Sequence, residues 1–235
     1  MDKELLEYLE NVTEQEQEIL KSDRPVLSYF TKDGSSAVVD SDVVMKPMTM
    51  IDIMKQPRFV SLPEHTHNYI ELVYMCSGST THMNNGTTEI TITEDDLLFL
   101  PQGTSHSVSS AGFRDIAIRF VILPEFLQYP LSMLREDTVL RRFIQNAAEK
   151  KPSECDFLQF HIHDMPEAKN LLENMIRLLL HRRRNSRQVL QATMGVLLLA
   201  LSERTYMITV GSPSSYEQQV VLEALNYIET NYKTA

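Results

Sequence analysis

The residues with the clearest chemical potential stand in the stretch HTHNYIELVYMCSG, which begins at His65. Side chains two positions apart in a strand share a face, so without a bulge one face would carry His65, His67, Tyr69 and Glu71. Two imidazoles and a carboxylate, joined by a histidine from a neighbouring strand, suit zinc, iron, manganese or nickel. His106 is the candidate for that third histidine. The predicted metal ligands are therefore His65, His67, Glu71 and His106.

The same groups allow three other interpretations. They could hydrogen-bond a polar effector such as a sugar or a small acid. A metal ion with an open position could instead catalyse a reaction, or the groups could satisfy one another through buried water. The predicted effector-binding set is His65, His67, Tyr69, Glu71, His106 and Arg119.

Arg119 and His82 have two alternatives each. Arg119 could reach inward to an anionic effector. The segment FRDIAIRFVIL places its isoleucines on the opposite face, however, and this alternation favours an outward position for the arginine. His82 lies next to the histidine motif and could line the mouth of the pocket, but we expect it to face solvent.

The elements that must position these residues are short strands. Between Pro25 and Ile122, runs of β-branched and aromatic residues alternate with glycines, which predicts a β-sandwich or barrel. In MNNGTTEITI, Asn85 and Gly86 suit the positive φ angles of a two-residue hairpin turn. FRDIAIRFVIL is predicted to be the last long strand.

Helices are predicted on both sides of this strand-rich region. Residues 1–22 have helical spacing, and Thr13 with Glu16 forms a capping box that restarts the helix. Asp164 with Glu167 predicts a second capping box, with Pro166 in the first turn. The runs AKNLLENMIRLLLH and VLQATMGVLLLALSERTYMI then predict an antiparallel helical hairpin. Their apolar arcs are wider than one barrel face needs, which predicts a homodimer through this hairpin.

Composition excludes several classes of protein. The formal net charge of −10 repels polyanions, so the chain is not expected to grip nucleic acid by itself. The basic stretch HRRRNSR is interpreted as a solvated helix end and turn. No apolar run approaches the roughly 20 residues that span a bilayer, and the charged beginning is unlike a secretory signal, so we expect a cytoplasmic protein without a membrane partner. The two cysteines form no disulfide framework.

The end of the chain predicts a further unit. GSPSS, residues 211–215, has the composition of a linker. The segment YEQQVVLEALNYIETNY then predicts a helix with Val221, Leu225 and Ile228 on one face. Because this apolar face has no partner later in the given sequence, we expect that another domain begins here.

Two motifs resemble those of the cupin superfamily. HxHxxxE followed by glycine matches His65, His67, Glu71 and Gly78, and a PxGxxH core matches Pro101, Gly103 and His106. The sequence departs from the family where a glycine normally precedes the second strand, since Asp95 or Asp96 stands there. The resemblance implies a double-stranded β-helix barrel over roughly residues 40–122.

The flanking segments narrow this resemblance. A short cupin followed by an apolar helical hairpin, a linker and ALNYIETNY is similar to the N-terminal sensor region of AraC-type transcriptional regulators. The long acidic helix before the barrel also resembles the bacterial branch of that family. The fold expected is α+β, a cupin barrel with an N-terminal helix and a C-terminal helical hairpin. The expected domains are 1–24 (helical), 25–125 (cupin), 126–210 (dimerisation) and 211–235 (linker and first helix of a helix-turn-helix domain).

The resemblance implies a function as well. A small-molecule effector would bind in the cupin pocket and change how the parent protein binds DNA through a C-terminal domain that is absent from this sequence. On this interpretation the chain is not an enzyme and no cofactor is assigned with certainty, although a divalent metal could occupy the histidine cluster. The alternatives are a metal-dependent cupin enzyme, such as a dioxygenase or isomerase, and a dimerisation module whose pocket binds nothing.

Overall fold

The computed structural model describes residues 1–22, 24–34, 36–136, 138–151, 155–181, 186–204 and 208–211. This part of the chain contains a short 3-10 helix, Val26–Tyr29, and seven α-helices. The α-helices are α1 (Lys3–Glu10), α2 (Glu14–Lys21), α3 (Ser41–Val44), α4 (Pro124–Ser132), α5 (Val139–Glu149), α6 (Pro166–Leu180) and α7 (Ser186–Ser202). No helix within these ranges is both long and apolar enough to cross a membrane.

Eleven strands of the described chain form two sheets. They are β1 (Val38–Val39), β2 (Ile51–Lys55), β3 (Leu62–His67), β4 (Ile70–Ser77), β5 (Ser79–Asn84), β6 (Thr88–Thr93), β7 (Asp96–Leu100), β8 (His106–Val108), β9 (Ile116–Ile122), β10 (Leu158–His161) and β11 (Ile208–Val210). One sheet has the order β1-β3-β8-β5-β6, and the other has β11-β10-β7-β4-β9-β2. Apart from the parallel pair β1–β3, neighbouring strands are antiparallel. The expected α+β fold with a cupin-like barrel is confirmed.

Strand β4 shows how the sequence separates the inside of the barrel from its outside. Val73 and Met75 pack with residues of β6, β7 and β9, so they lie between the two sheets. Leu72 and Tyr74 point the opposite way and join the apolar cluster that includes α4–α7. The strand is therefore buried on both faces, which explains its almost continuous apolar sequence.

The hairpin between β5 and β6 has the predicted backbone but one more residue than expected. Asn85 and Gly86 adopt φ angles of 49° and 67°, in the left-handed region. Asn84 pairs with Thr88, so Thr87 also belongs to the loop and the turn has three residues. The prediction of the hairpin is confirmed, while the predicted two-residue length is wrong. The backbone N–H of Thr87, the third residue of the loop, donates to the carbonyl of Asn84 and closes the loop.

The helices after β9 cover the outer face of the six-stranded sheet. Helix α6 packs against α7, and α7 in turn packs against α4. Leu172, Met175, Ile176 and Leu179 of α6 are fully buried in this layer, and each such side chain contributes about 2 kcal/mol through burial. The two predicted apolar helices are confirmed, whereas the basic connection at 182–185 lies outside the described residues.

The start of α6 differs from the prediction. The cap position is Met165, without a side-chain hydrogen bond, and Pro166 begins the helix. The expected capping box of Asp164 and Glu167 is therefore wrong. Proline at the first helical position needs no N–H partner and fixes φ, so it sets the boundary. Oδ1 of Asp164 instead lies 3.0 Å from Nε2 of the neighbouring His163.

The N-terminal segment contacts two other parts of the molecule, the residue Arg58 and helix α6. Thr13 and Glu16 form the predicted capping box, which starts α2 after a break. Glu16 is also buried against Arg58, with Nε–Oε1 and Nη2–Oε2 distances of 2.8 and 3.1 Å. At the other end of this segment, Asp2 accepts a hydrogen bond from Arg177 of α6. The predicted final helix lies outside the described residues, and the expected domain boundaries stay predictions.

Candidate functional site

The barrel interior brings together side chains from five strands. Strand β3 supplies His65 and His67, β4 supplies Glu71, and β8 supplies His106 in direct register with His65. Strand β9 adds Arg119, which pairs with Val73, two residues along β4 from Glu71. Strand β5 adds His82 and Asn84. These side chains form the interior polar layer: His65, His67, Glu71, His82, Asn84, His106 and Arg119, each with at most 2 % of its surface exposed.

Three members of the polar layer form a group that could hold a metal ion. One ligand atom each from His67, Glu71 and His106 can be chosen so that all lie within 4.8 Å of one another. Nε2 of His106 lies 3.6 Å from Oε2 of Glu71. His65 is not part of this group, although its ring centroid is 4.3 Å from that of His106. Three of the four ligands predicted from the sequence are thus brought together, and His65 lies beside them.

Backbone carbonyls fix which nitrogen of two histidines carries a proton. Nδ1 of His67 lies 2.6 Å from the carbonyl oxygen of Tyr69, and Nδ1 of His65 lies 2.8 Å from that of Pro63. A carbonyl only accepts, so both Nδ1 atoms donate, and in the neutral ring Nε2 keeps its lone pair. This is the arrangement that orients histidine ligands in metal sites.

Burial keeps all four interior histidines neutral. It lowers the pKa of His65 and His67 below the ordinary value, against the opposing effect of Glu71. Burial also lowers the pKa of His82 to about 4, and that of His106 falls well below normal because of burial and the neighbouring histidines. Neutral imidazoles have a lone pair for a cation or a hydrogen-bond donor, so the site can receive either.

The outward position favoured for Arg119 is wrong. Its side chain is 1 % exposed and lies inside the barrel, where Nη1 is 3.6 Å from Oε1 of Glu71. The isoleucine face of β9 packs against the helical layer, so the opposite face, with Arg119, turns into the barrel. The alternation was interpreted correctly, but periodicity alone does not show which face of β9 the helices cover.

Asn84 is a further candidate that was not predicted from the sequence, and His82 was assigned to the wrong environment. The expectation that His82 faces solvent is wrong, because it is 1 % exposed and its ring is 5.9 Å from that of His106. Asn84 pairs across the sheet with His106 and is equally buried. The polar residues Thr80, His82 and Asn84 alternate in β5, and this spacing could have indicated a polar interior face.

Tyr69 forms one wall of the site. Its ring stacks on His67 with centroids 4.7 Å apart and an interplanar angle of 20°. It belongs to an apolar cluster with Leu62, Val108 and Val121. Burial raises the pKa of Tyr69, so its hydroxyl stays protonated. Tyr69 therefore closes one side of the polar layer with an apolar ring that fixes the orientation of His67.

A surface groove of about 460 Å³ approaches the site from outside. It runs between the loop after β7 and the end of α5, and its lining residues include His67, Gly103, Lys150 and Lys151. The backbone N–H of Gly103 donates to the carbonyl of His67 at 2.8 Å. Because His67 borders both the groove and the polar layer, the groove is a candidate entrance for a ligand.

This geometry defines the class of the protein as a cupin-like barrel with an interior binding site and an outer layer of helices. The sequence model of the AraC-like ligand binding domain matches residues 55–202, more than half of the chain, so the chain belongs to that family. It is thus an effector-sensing regulatory domain, as the sequence predicted. No curated protein sequence is similar enough to the chain to count as a match.

Solved structures with a similar fold include ToxT from Vibrio cholerae. An apo form of a ToxT point variant has a TM-score of 0.50 and 14% sequence identity, covering 80% of this chain and 67% of that one. A ToxT structure with bound unsaturated fatty acid has a TM-score of 0.46 and 11% identity, covering 80% and 66%. This chain spans about two thirds of the length of ToxT. At these identities the likeness concerns the fold alone.

Proposed function

We propose that the chain binds a small polar effector in the interior polar layer and transmits its presence to a DNA-binding domain in the parent protein. One observation carries the proposal. Nε2 of His67, both carboxylate oxygens of Glu71 and both ring nitrogens of His106 are buried without a hydrogen-bond partner among the residues that the structure describes. Buried polar atoms are normally paired, so this concentration supports a site that a ligand completes.

The polar layer is also the proposed binding site of a divalent cation. His67, Glu71 and His106 supply nitrogen and oxygen donors that suit zinc, iron, manganese or nickel. A bound ion would supply charge that attracts an effector's oxygen atoms. The residues would hold the ion, and His65 would pack beside His106 without contributing to the group. The regulatory family of the chain favours a sensing role over a metal-dependent enzyme.

Strand β4 offers a physical link from the site to the helices. Glu71 points into the barrel, while Tyr74 on the same strand points outward and its hydroxyl donates to Asp95 at 2.9 Å. Lys169 of α6 donates to the other oxygen of Asp95, also at 2.9 Å. A shift of β4 on effector binding would therefore act on α6 through these two hydrogen bonds. An effector that binds more tightly to one arrangement of β4 and α6 would raise the population of that arrangement.

The helical layer is the proposed dimer interface. Helix α7 is buried on one side, yet exposed apolar residues at helical spacing remain on the other: Val189, Ala192 and Val196, the α7 stripe, which the partly buried Leu199 continues. Val189 and Val196 are 49% and 45% exposed. Pairing the stripe with its copy would bury it in a symmetric homodimer. The two subunits would then set the spacing of two DNA-binding domains in a cytoplasmic regulator, as expected for residues 126–210.

The test is a thermal-shift screen of the chain with sugars and small organic acids, repeated with His106→Ala. We expect at least one compound to raise the melting temperature of the original chain and to have no such effect on the variant, because binding to the folded state stabilises it. A matched control is His163→Ala, which changes an exposed histidine. No shift with any compound would indicate a dimerisation module, and turnover of a compound with oxygen consumption would indicate an enzyme.

A further inference from the structure

In the part of the chain that the structure describes, two arginines are almost completely buried, and they differ in what their guanidinium groups bind. Arg58 and Arg119 are each 1 % exposed. In Arg58, Nε and Nη2 donate hydrogen bonds to the two oxygens of the Glu16 carboxylate, while Nη1 donates to the carbonyl of Phe113 at 2.7 Å. The edge formed by Nε and Nη2 thus holds a carboxylate side-on, with two parallel hydrogen bonds.

Arg119 presents the same edge without a protein carboxylate. Its Nε and Nη2 atoms are buried, and neither has a hydrogen-bond partner within the described part of the chain. Only Nη1 faces Glu71, at 3.6 Å, which is longer than a hydrogen bond. Leaving donors of a charged group unsatisfied in a protein interior is costly. The weak contact with Glu71 is therefore not enough to explain why Arg119 is buried. A further partner for its Nε and Nη2 atoms would explain it.

The surroundings of Arg119 define the size and chemistry of a partner. Nδ1 of His82 and both amide atoms of Asn84 are buried and likewise without a partner among the described residues. Apolar side chains bound this polar layer on both sides, with Tyr69 and Val121 on one side and Val73 on the other. A long apolar ligand would meet polar atoms in this layer, whereas a small polar one would satisfy them.

We propose that the Nε/Nη2 edge of Arg119 binds the carboxylate of a small hydroxy acid. This inference rests on the proposed effector site and names the chemical class of its ligand. The hydroxyl would donate to an oxygen of the Glu71 carboxylate, since neither oxygen has a hydrogen-bond partner among the described residues. Planar bidentate pairing distinguishes a carboxylate from a neutral amide or a sugar, neither of which presents two equivalent acceptor oxygens in one plane.

Charge balance gives the inference a second consequence. An acid beside Arg119 and Glu71 would place two negative charges next to one positive charge in the barrel. A divalent cation on His67, Glu71 and His106 would offset the excess. Acid and cation should therefore bind with positive cooperativity, and the coupling must be reciprocal. A neutral sugar would show much weaker coupling to the cation.

The experiment uses NMR to follow the Nε–H resonances of the arginines in the 15N-labelled chain. Glycolate and lactate are the probes, glycolamide and lactamide are their neutral counterparts, and glucose represents the sugars. Each is added up to about 50 mM, which detects binding weaker than millimolar. Arg119→Lys identifies the resonance by its loss, and Arg114→Lys, at an exposed arginine, is the matched control. Titrations by calorimetry are run on metal-free chain and on chain loaded with zinc.

We expect at least one acid to shift the Arg119 resonance while its amide does not. Arg119→Lys should weaken that acid at least tenfold, because lysine keeps the charge but loses the fork, and Arg114→Lys should leave it unchanged. Failure of both acids to shift the resonance would overturn the inference, as would equal affinity in Arg119→Lys. If glucose bound instead and His106→Ala abolished its binding, the effector site would stand while the acid assignment would fall.

Discussion

Nε2 of His106 and Oε2 of Glu71 lie 3.6 Å apart inside the barrel, and neither has a hydrogen-bond partner among the described residues. Two donors about 2.1 Å from one tetrahedral ion are separated by about 3.4 Å. The observed separation therefore suits two ligands of one cation. It does not suit a direct hydrogen bond, since a neutral imidazole and a carboxylate in contact approach to about 2.8 Å.

Glu71→Gln tests the proposed cation site, because it removes the carboxylate charge while preserving shape. We expect the affinity for zinc, measured by competition with a chromophoric chelator, to fall at least tenfold. Glu89→Gln changes an exposed glutamate of β6 in the same way and should leave the affinity unchanged. Equal zinc affinity in the Glu71 variant and the original chain would remove the site from consideration.

Val196→Glu tests the α7 stripe. A charge at the centre of an apolar interface is costly to bury, so we expect the variant to elute as a monomer when the original chain elutes as a dimer, with mass measured by light scattering. Val43→Glu provides the control, because Val43 is 41% exposed on α3, outside the stripe. A dimer that survives in Val196→Glu would place the interface elsewhere.

The Glu16–Arg58 pair predicts how stability depends on pH. Burial by itself would raise the pKa of Glu16, but hydrogen bonds from Arg58, the Thr13 backbone and Lys55 lower it from an ordinary value near 4.5 to about 2. A depressed pKa gives stability that is complete above the unfolded value and is lost as the pH falls from about 4.5 toward 2. Denaturation by urea across this range should show the loss.

Glu16→Gln should lack this component of the pH dependence. At neutral pH we expect the variant to unfold with a free energy lower by about 3 kcal/mol, since Arg58 stays buried without its charge partner. Glu14→Gln, at an exposed position in the same helix, is the control. A variant whose unfolding free energy kept the original slope between pH 4.5 and 2 would show that another carboxyl is responsible.

Gly78→Ala tests why the first motif ends in glycine. Gly78 has a φ angle of +75°, and a Cβ atom there would lie 2.2 Å from Oδ1 of Asp115 and 3.0 Å from the carbonyl of Arg114. We expect a loss of about 3 kcal/mol in the free energy of unfolding. Gly86→Ala, with φ +67° and no atom within 4 Å, should cost only about 1 kcal/mol. Similar costs for the two variants would contradict the crowding at Gly78.

The sequence predicted the parts of the site that are encoded by local spacing. His67, Glu71 and His106 could be grouped because strand periodicity and two recognisable motifs place them on inward faces. Asp95, where a glycine was expected, adopts a φ of 66°, a conformation that aspartate tolerates better than most residues. Its carboxylate also joins Tyr74 to Lys169. The departure from the motif therefore leaves the turn intact and adds a contact with α6.

The mistaken positions of Arg119 and His82 share one physical cause. The inward positions of Arg119 and His82 depend on which side of each strand other elements cover, and this is a long-range property. Helices α4–α7 bury the apolar face of β9, so that its charged residue lies inside the barrel. Periodicity identifies two faces of a strand but does not say which one is internal when both are buried.

The attachment of the N-terminal helix to α6 also constrains the order in which the molecule is assembled. Asp2 and Arg177 are separated by 175 positions in the chain. During synthesis, α1 leaves the ribosome long before its partner exists, so this contact can close only after most of the domain has been translated. The attachment of α1 to α6 is therefore a late step in the assembly of this domain.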